Sequence, residues 1–251
     1  MRNFKLTIEY DGTDFQGWQV QSEKNRTVQG EIEKVLRIIF KKKLRLIGSG
    51  RTDRGVHAEA QTAHFKVATK KNCEEILRAI NANLPKDIAV IHCEEAPPDF
   101  HAQYSIRRKT YRYIIFNRAA RPVLMRRQML HIPQPLNIIR MRREAKPLLG
   151  KHDFKAFTAA DPALKRESKN KGTVRTVYRL DVRKRRDAIT IEIEADGFLY
   201  KMVRNIVGTL LAVGRGKLPP GSTEKILKTR DRTRAPATAP AQGLCLVDAV
   251  Y

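Results

Sequence analysis

The chain has 251 residues, of which 41% are hydrophobic, and this is enough apolar material for a compact core. The composition therefore excludes a chain that is disordered throughout. No apolar run is long enough to span a membrane, and residues 1–5 lead directly into an alternating pattern without the apolar core of a signal peptide. We expect a cytoplasmic protein.

Positive charge is in strong excess, and most of it lies in the second half of the chain. Fifty lysines and arginines stand against 26 acidic residues, a net charge of +24. Residues 1–105 hold 17 basic and 14 acidic residues, whereas 106–251 hold 33 and 12, so the net charges are +3 and +21. Phosphate contacts supply much of nucleic-acid affinity, so we expect an RNA or DNA partner bound mainly by the second half. No segment combines a basic face with a large apolar one, which disfavours a membrane surface.

The first half predicts the element order β-α-β-β-α-β. Residues 4–10 alternate apolar and polar side chains and stop at Asp11-Gly12, which is typical of a half-buried strand and a turn. Thr27 can cap a helix, because apolar residues follow it at helical spacing. The apolar positions of that helix are Val28, Ile32, Val35, Leu36 and Ile39.

Two further strands and a second helix complete this half. Leu44 and Leu46 predict a strand that leads into a glycine-rich loop, and a strand at 62–67 leaves the loop. Asn72 and Glu75 have the spacing of a capping box, which starts a helix. The last strand of this half runs through Ile88, Val90 and Ile91.

The second half repeats this alternation. Residues 109–116 predict an aromatic and β-branched strand, while 173–182 and 188–195 predict a long hairpin with a charged tip at 183–187. A helix follows at 199–213, with Met202, Ile206, Leu210 and Leu211 on one face. Two segments, 162–172 and 229–242, have the composition of mobile loops.

The two halves share a similar order of strands and helices. We therefore predict an α+β fold of two pseudo-symmetric subdomains, 1–105 and 106–251, with mostly antiparallel sheets and helices packed on one side. A cleft between the subdomains would hold the active site.

The loop of residues 48–58, GSGRTDRGVHA, sets one carboxylate between two arginines. Glycines allow a sharp turn or a close approach to a ligand, and the guanidinium groups of Arg51 and Arg54 favour an ionised Asp53. Such an aspartate can act as a nucleophile or a base. The residues alone leave a second interpretation open, a tight turn with a solvated ion pair.

Neither the cysteines nor the histidines have the spacing of a metal site. Cys73, Cys93 and Cys245 are far apart, and we expect them to be reduced and mostly buried. The six histidines are scattered, so no metal is assigned to them. Trp18 has two open interpretations, a base-stacking residue and a core residue.

Seven blocks of the chain, read in order, resemble the tRNA pseudouridine synthase A family. The blocks are 10–19 (YDGTDFQGWQ), 27–31 (TVQGE), 50–58 (GRTDRGVHA), 109–113 (KTYRY), 152–154 (HDF), 198–205 (FLYKMVRN) and 239–244 (APAQGL). Gln103 departs from the pattern, which has an arginine after Phe100-His101-Ala102. The basic tract at 118–143 is also longer than the family pattern leads us to expect.

The resemblance implies conversion of uridine to pseudouridine at positions 38, 39 and 40 in the anticodon stem-loop of tRNA, without a cofactor or metal. It implies a homodimer that binds one tRNA across both subunits. Asp53 would be catalytic, Arg51 would flip the target base, Tyr111 would contact the uracil and Arg204 would pair with the aspartate. Taken without the family, these last three residues have simpler interpretations. Arg51 would be an ion-pair partner of Asp53, Tyr111 a core residue and Arg204 a solvated helix residue.

Two other classes of protein fit parts of the sequence. A noncatalytic RNA-binding protein would explain the charge, although it has no need for the carboxylate between two arginines. A nucleoside or glycoside hydrolase would also cleave at the anomeric carbon, but such enzymes commonly use a second carboxylate at a defined separation, and the sequence places none beside Asp53.

Overall fold

The computed structural model of this protein describes residues 1–22, 25–159 and 172–251. The chain forms two compact units, of which the first comprises Met1–Arg107 with Cys245–Tyr251 and the second comprises Arg108–Leu244. The α-helices and strands, in chain order, are β1 (Arg2–Tyr10), α1 (Val28–Phe40), β2 (Ile47–Gly48), β3 (His57–Val67), α2 (Cys73–Asn81), β4 (Ile88–Ala96), β5 (Arg108–Phe116), β6 (Leu130–His131), α3 (Ile138–Ala145), β7 (Gly150–Asp153), β8 (Val174–Arg185), β9 (Ala188–Ala195), α4 (Met202–Gly214), α5 (Ser222–Thr229) and β10 (Leu244–Val250).

Strand pairing in the described residues is mostly antiparallel, and strands and helices are mixed throughout. The predicted α+β class is confirmed. No helix in the described part of the chain is long and apolar enough to cross a membrane.

The first unit has the predicted order β-α-β-β-α-β. Its described strands are arranged β4-β1-β3-β10, with β2 added beside β3, and among them only the β3–β10 pair is parallel. Both predicted helix starts are confirmed, because the Thr27 side chain accepts from the N–H of Gly30 and Asn72 and Glu75 form the reciprocal capping box.

The strand predicted at Leu44 and Leu46 is displaced to Ile47–Gly48. The reason is that side chains of helix α1 form hydrogen bonds with both the backbone N–H and the backbone carbonyl of Leu46. Glu33 accepts from the Leu46 N–H at 2.9 Å, and Gln29 donates to the Leu46 carbonyl at 3.0 Å. A backbone whose donor and acceptor are occupied in this way has neither left for a neighbouring strand.

The second unit contains a sheet in the order β5-β9-β8-β7, with β6 paired to β5. The predicted hairpin is confirmed as β8 and β9, but its turn is shorter than the predicted tip at 183–187. Arg185 pairs with Ala188, so only Arg186 and Asp187 turn the chain, and Arg186 has the left-handed φ of 52°. Two-residue hairpin turns need positive φ angles, so the conformation of Arg186 allows β8 and β9 to stay paired up to the turn.

Helix α4 is the buried helix of the second unit and begins three residues later than predicted, at Met202. All of its residues except Arg204 are buried. The sequence patterns did not predict α3, α5, β6, β7 or β10. The α3 helix has a buried acid, Glu144, which accepts hydrogen bonds from the N–H groups of Gly221 and Thr223 at 2.6 and 2.9 Å and so stabilises the start of α5.

Only one of the two predicted loops lies wholly within the described residues. Residues 162–171 lie outside the described residues. Residues 229–242 include a short 3-10 turn at Arg232–Arg234, and this segment packs against α4 through Asn205, as described below.

Buried histidine His64 makes stability depend on pH. Burial, with smaller contributions from His101 and Lys66, lowers the pKa of His64 to about 4, and its Nδ1 accepts from the N–H of Ala102 at 3.1 Å. The unfolded chain binds this proton at about pH 6.5, so the folded state is favoured fully above that pH and loses stability as the pH falls towards 4.

We predict that the His64→Asn variant, which keeps an acceptor for Ala102 but does not titrate, shows a weaker loss of unfolding free energy between pH 6.5 and 4.5. The part removed is up to about 1.4 kcal/mol per pH unit, measured by urea unfolding. Equal slopes in wild type and His64→Asn would contradict the assignment.

Candidate active site

Asp53 lies on the loop that connects β2 to β3 in the first unit, as predicted. Thr52 beside it is buried, Asp53 is half-buried, and Arg51 and Arg54 are exposed. Three hydrogen bonds fasten the start of this loop to β3. The Ser49 N–H donates to the Thr62 carbonyl at 2.7 Å, the Ser49 hydroxyl donates to Gln61 at 2.6 Å, and Gln61 donates to the Gly50 carbonyl at 2.9 Å.

The segment that follows β1 fastens the centre of the same loop. The hydroxyls of Tyr10 and Thr52 are 2.7 Å apart in a buried hydrogen bond, and the Trp18 N–H donates to the Thr52 carbonyl at 3.1 Å. Within the loop, the Val56 N–H donates to the Asp53 carbonyl at 3.1 Å and closes a turn. The backbone on both sides of the carboxylate is therefore held by neighbouring strands and segments.

Two glycines allow this backbone to approach so closely. Gly17 has a φ of +102°, and a methyl group there would lie 2.7 Å from the Thr52 carbonyl oxygen and 3.3 Å from the Asp53 carbonyl carbon. A methyl group at Gly12 would collide with the Val56 carbonyl oxygen. Any larger residue at either position would displace the loop or the segment that supports it.

Trp18 is a core residue, the second of its two interpretations. Its side chain is 3% exposed, it lies 6.2 Å from the Tyr10 ring, and it fills the space beside the backbone of Gly48. The supporting roles of Tyr10, Gly12, Gly17 and Trp18 were missed, although all four lie in the block at 10–19. The dense spacing of glycine and aromatic residues in that block is the signal that indicates a close backbone contact.

Tyr111 lies on β5 in the second unit and pairs with Ile193 of β9. It is half-buried, and its ring meets the Phe198 ring edge to face at 5.1 Å. Tyr113, two residues further and therefore on the same face of the strand, is fully buried and donates to the Pro240 carbonyl at 2.8 Å. The core role is thus filled by Tyr113, while Tyr111 keeps part of its ring accessible.

Arg204 lies in the first turn of α4 and is half-buried. Its Nε donates to the Ala239 carbonyl at 2.8 Å, and the Ala239 N–H donates back to the Arg204 carbonyl at 3.1 Å. The guanidinium lies near Tyr113, whose pKa is raised by burial, with Arg204 opposing that rise. A purely solvated helix residue is therefore not an adequate description of Arg204.

Asn205, the next residue, holds this part of α4 in place. It is completely buried, and its amide donates to the Phe157 carbonyl at 2.6 Å. Its carbonyl oxygen accepts from Thr238 at 2.6 Å and from Arg232 at 3.1 Å. Because a buried amide with unmet hydrogen bonds is costly, this network fixes the segment at 232–239 against the helix that carries Arg204.

The structure thus brings Asp53 and Arg51 together on one loop of the first unit, and it places Tyr111 and Arg204 in the second unit, on β5 and α4. Within the described residues there is no group of three or more histidine, cysteine, aspartate or glutamate side chains that could hold a metal ion.

Comparison with known proteins extends the resemblance to the whole chain. A family model described as tRNA pseudouridine synthase matches residues 6–105 and 145–251. The chain is 47% identical to tRNA pseudouridine synthase A of Thermoanaerobacter sp. (strain X514) and 46% identical to that of Caldicellulosiruptor bescii, over 100% of both sequences in each case. It is 43% identical to tRNA pseudouridine synthase A 2 of Clostridium perfringens, again over 100% of both sequences.

Similarity of this extent indicates an enzyme family and not a shared fold alone. The chain belongs to the tRNA pseudouridine synthase family. This membership favours an isomerase over the hydrolase and the noncatalytic RNA-binding protein that the sequence had left as alternatives.

We predict that Gly17→Ala lowers kcat/KM for tRNA by at least about tenfold, because the added methyl group displaces the backbone at Asp53, and a carboxylate that takes part in the reaction would then be misplaced. Gly221→Ala is the matched control. Gly221 also has a positive φ, of +79°, but an added methyl group there meets nothing within 4 Å. Gly221→Ala should lose about 1 kcal/mol of unfolding free energy to backbone strain and keep its activity. Gly17→Ala should lose more stability, because its methyl group also meets the Thr52 carbonyl oxygen at 2.7 Å, and it alone should lose activity. Equal activity in the two variants would sink this interpretation of the loop.

Proposed function

We propose that this enzyme isomerises uridine to pseudouridine at positions 38, 39 and 40 of the tRNA anticodon stem-loop, with Asp53 as its catalytic carboxylate. The reaction breaks the bond from the ribose to a ring nitrogen of uracil and joins the same ribose carbon to a ring carbon. The observation that supports the proposal most is that hydrogen bonds from β3 and from the segment after β1 hold the Asp53 loop in place, in a chain that belongs to this family.

A held carboxylate suits a reaction whose two fragments must stay in one pocket. The base is detached and then reattached, so a catalytic group has to remain in register with the ribose and with the ring. Asp53 meets this need, because hydrogen bonds at Gly50, Thr52 and the Asp53 carbonyl fix the backbone around it. Its carboxylate would attack the ribose carbon or the uracil ring, or assist an elimination across the sugar.

Arg51 is proposed to take part in flipping the target base. A base in a helical stem has to leave the stack before a carboxylate can reach it, at a cost of about a few kcal/mol. Arg51 is exposed and two residues from Asp53. A planar guanidinium can stack in the gap or bind a phosphate, whereas an ammonium group cannot do both.

Tyr111 is proposed to contact the flipped uracil. Its ring is fixed edge to face by Phe198 at 5.1 Å yet remains partly exposed, so one surface can stack on a base. Its hydroxyl would assist a proton transfer.

Arg204 is proposed to keep the catalytic aspartate charged and aimed. The hydrogen bond from its Nε to the Ala239 carbonyl sets the direction of the guanidinium, a group whose planar shape suits paired hydrogen bonds to a carboxylate. The buried Asn205 network beside it supports this orientation, since it fixes both α4 and the segment that contains Ala239.

Transfer RNA is the substrate, and the charge distribution suits it. Residues 106–251 carry a net charge of +21, and the tract at 118–143 contains seven arginines and no acidic residue. We propose that this half binds the phosphates of the stem, that a homodimer holds one tRNA across both subunits, and that the enzyme works in the cytoplasm.

The first test removes the carboxylate. Asp53→Asn should lower pseudouridine formation by at least about 10³-fold while tRNA affinity stays within about threefold, because binding rests mainly on phosphate contacts. The matched control is Asp99→Asn, at an exposed aspartate of the same unit, and it should keep full activity. Pseudouridine formation that survives in Asp53→Asn would refute the catalytic assignment.

The second test addresses the target positions. In tRNA from cells that lack this gene, pseudouridine should be absent at positions 38, 39 and 40, restored by the wild-type gene and not by Asp53→Ala. Pseudouridine missing at other positions would show that a different site is the target. Release of free uracil during incubation with tRNA would instead favour a hydrolase.

A further inference from the structure

Helix α2 presents its cysteine to the sheet of the first unit. Cys73 is the first residue of α2, and it precedes Ile76 and Ile80 by three and seven positions. This spacing places the three side chains on one face of the helix. Ile76 and Ile80 are fully buried and Cys73 is half-buried, so the Cys73 thiol lies at the exposed end of the packed face.

A bulge in β4 turns a second cysteine towards the same side. Val90 and Cys93 are three residues apart, and in a regular strand they would point to opposite faces. The register against β1 shifts at this point, because Thr7 pairs with His92 and Ile8 pairs with Val90. The extra residue, Ile91, is exposed, and Val90 and Cys93 are both buried.

Two sets of hydrogen bonds bracket the cysteines. At the end of α2, Asn81 donates to the Val90 carbonyl and accepts from the Val90 N–H, both at 2.8 Å. Beyond the start of the helix, Arg2 donates to the Lys71 carbonyl at 2.7 Å and to the Glu95 carboxylate at 2.9 and 2.8 Å. Cys73 on the helix and Cys93 on the strand both lie between these two sets of hydrogen bonds.

Each cysteine lies at about the same distance from the hydrogen bonds between Asn81 and Val90. From Asn81 back to Cys73 the helix covers about 12 Å, and from Val90 to Cys93 the strand covers about 10 Å in the same direction. The two thiols are therefore level with each other across the contact between α2 and β4. Burial and then the adjacent Cys73 thiol raise the pKa of the Cys93 thiol to about 12, which is consistent with two sulfurs in contact.

We propose that Cys73 and Cys93 are a redox-active pair that closes reversibly into a disulfide joining α2 to β4. The oxidant is a low-molecular-weight disulfide. The Cys73 sulfur, the more accessible of the two, attacks it and forms a mixed disulfide while one small thiol leaves. The Cys93 sulfur then attacks Cys73, and the second small thiol leaves. Two protein thiols and one small disulfide thus become one protein disulfide and two small thiols.

This pair is separate from the proposed reaction, since Asp53 lies on the loop between β2 and β3 and neither cysteine is on that loop. Its effect would be on the stability of the first unit, because a cross-link between residues 73 and 93 closes a loop of about 20 residues in the unfolded chain.

The test uses the full chain with glutathione disulfide as oxidant, followed by alkylation of remaining thiols and tryptic mapping. We expect peptides 72–78 and 87–107 to be linked, with a mass decrease of about 2 Da relative to the two thiol peptides. The oxidised protein should unfold at a temperature higher by about 5 °C or more, and dithiothreitol should reverse this shift. Cys245→Ser is the matched control and should behave like the wild type.

Cys73→Ser should abolish both the linked peptide and the thermal shift, and Cys93→Ala should do the same. If Cys93→Ala fails to fold, the peptide map of the wild type and the Cys73→Ser variant decide the question. Three results would overturn the proposal: a glutathione adduct on Cys73 that never resolves, a link that involves Cys245, or full alkylation of Cys73 and Cys93 after oxidation.

Discussion

The arrangement of the candidate site depends on one close contact between two pieces of backbone. The segment after β1 and the loop before β3 approach so closely that side chains are excluded at Gly12 and Gly17. The hydrogen bonds at Thr52 then have fixed geometry, since Tyr10 binds its hydroxyl and Trp18 binds its carbonyl. The position of Asp53 follows from main-chain packing, which holds a group more firmly than a flexible side-chain contact does.

The second unit reaches a comparable rigidity by a different route. There, a buried amide on α4 binds two separate segments, because Asn205 contacts Phe157 in one and both Arg232 and Thr238 in the other. Each of its polar atoms would be costly to leave without a partner, so these segments are held to α4 together. Arg204 is the neighbour of Asn205 on α4, so its backbone is held in the same way. Its hydrogen bond to the Ala239 carbonyl sets the direction of the guanidinium.

The sequence predicted those features that arise from local interactions. Helices α1 and α2 were found from their caps, and the β8–β9 hairpin was found from alternation, because these signals lie within a few residues of the element. The strand at Leu46 was misplaced because its competitors, Glu33 and Gln29, lie on a helix more than ten residues away. Helix α3 was missed because it is short and arginine-rich, and its buried Glu144 is explained only by the distant start of α5.

The same distinction applies to the site. The position of Asp53 on a loop between strands could be predicted, since strand patterns flank it on both sides. The roles of Tyr10 and Gly17 could not, because they depend on contacts across 42 residues, as between Tyr10 and Thr52. Family resemblance named Tyr111 and Arg204, but only the structure shows that Tyr113 takes the buried position on β5 and that Ala239 orients the arginine.

A firmly held aspartate is especially useful in a chain with a net charge of +24. Many arginines and lysines compete for any carboxylate, and a flexible aspartate would be drawn into whichever ion pair forms next to it. Backbone hydrogen bonds and close packing do not weaken with salt or depend on the bound polyanion, whereas surface ion pairs do. The abundant positive charge attracts RNA over a long range, while short-range contacts around its loop decide the location of Asp53.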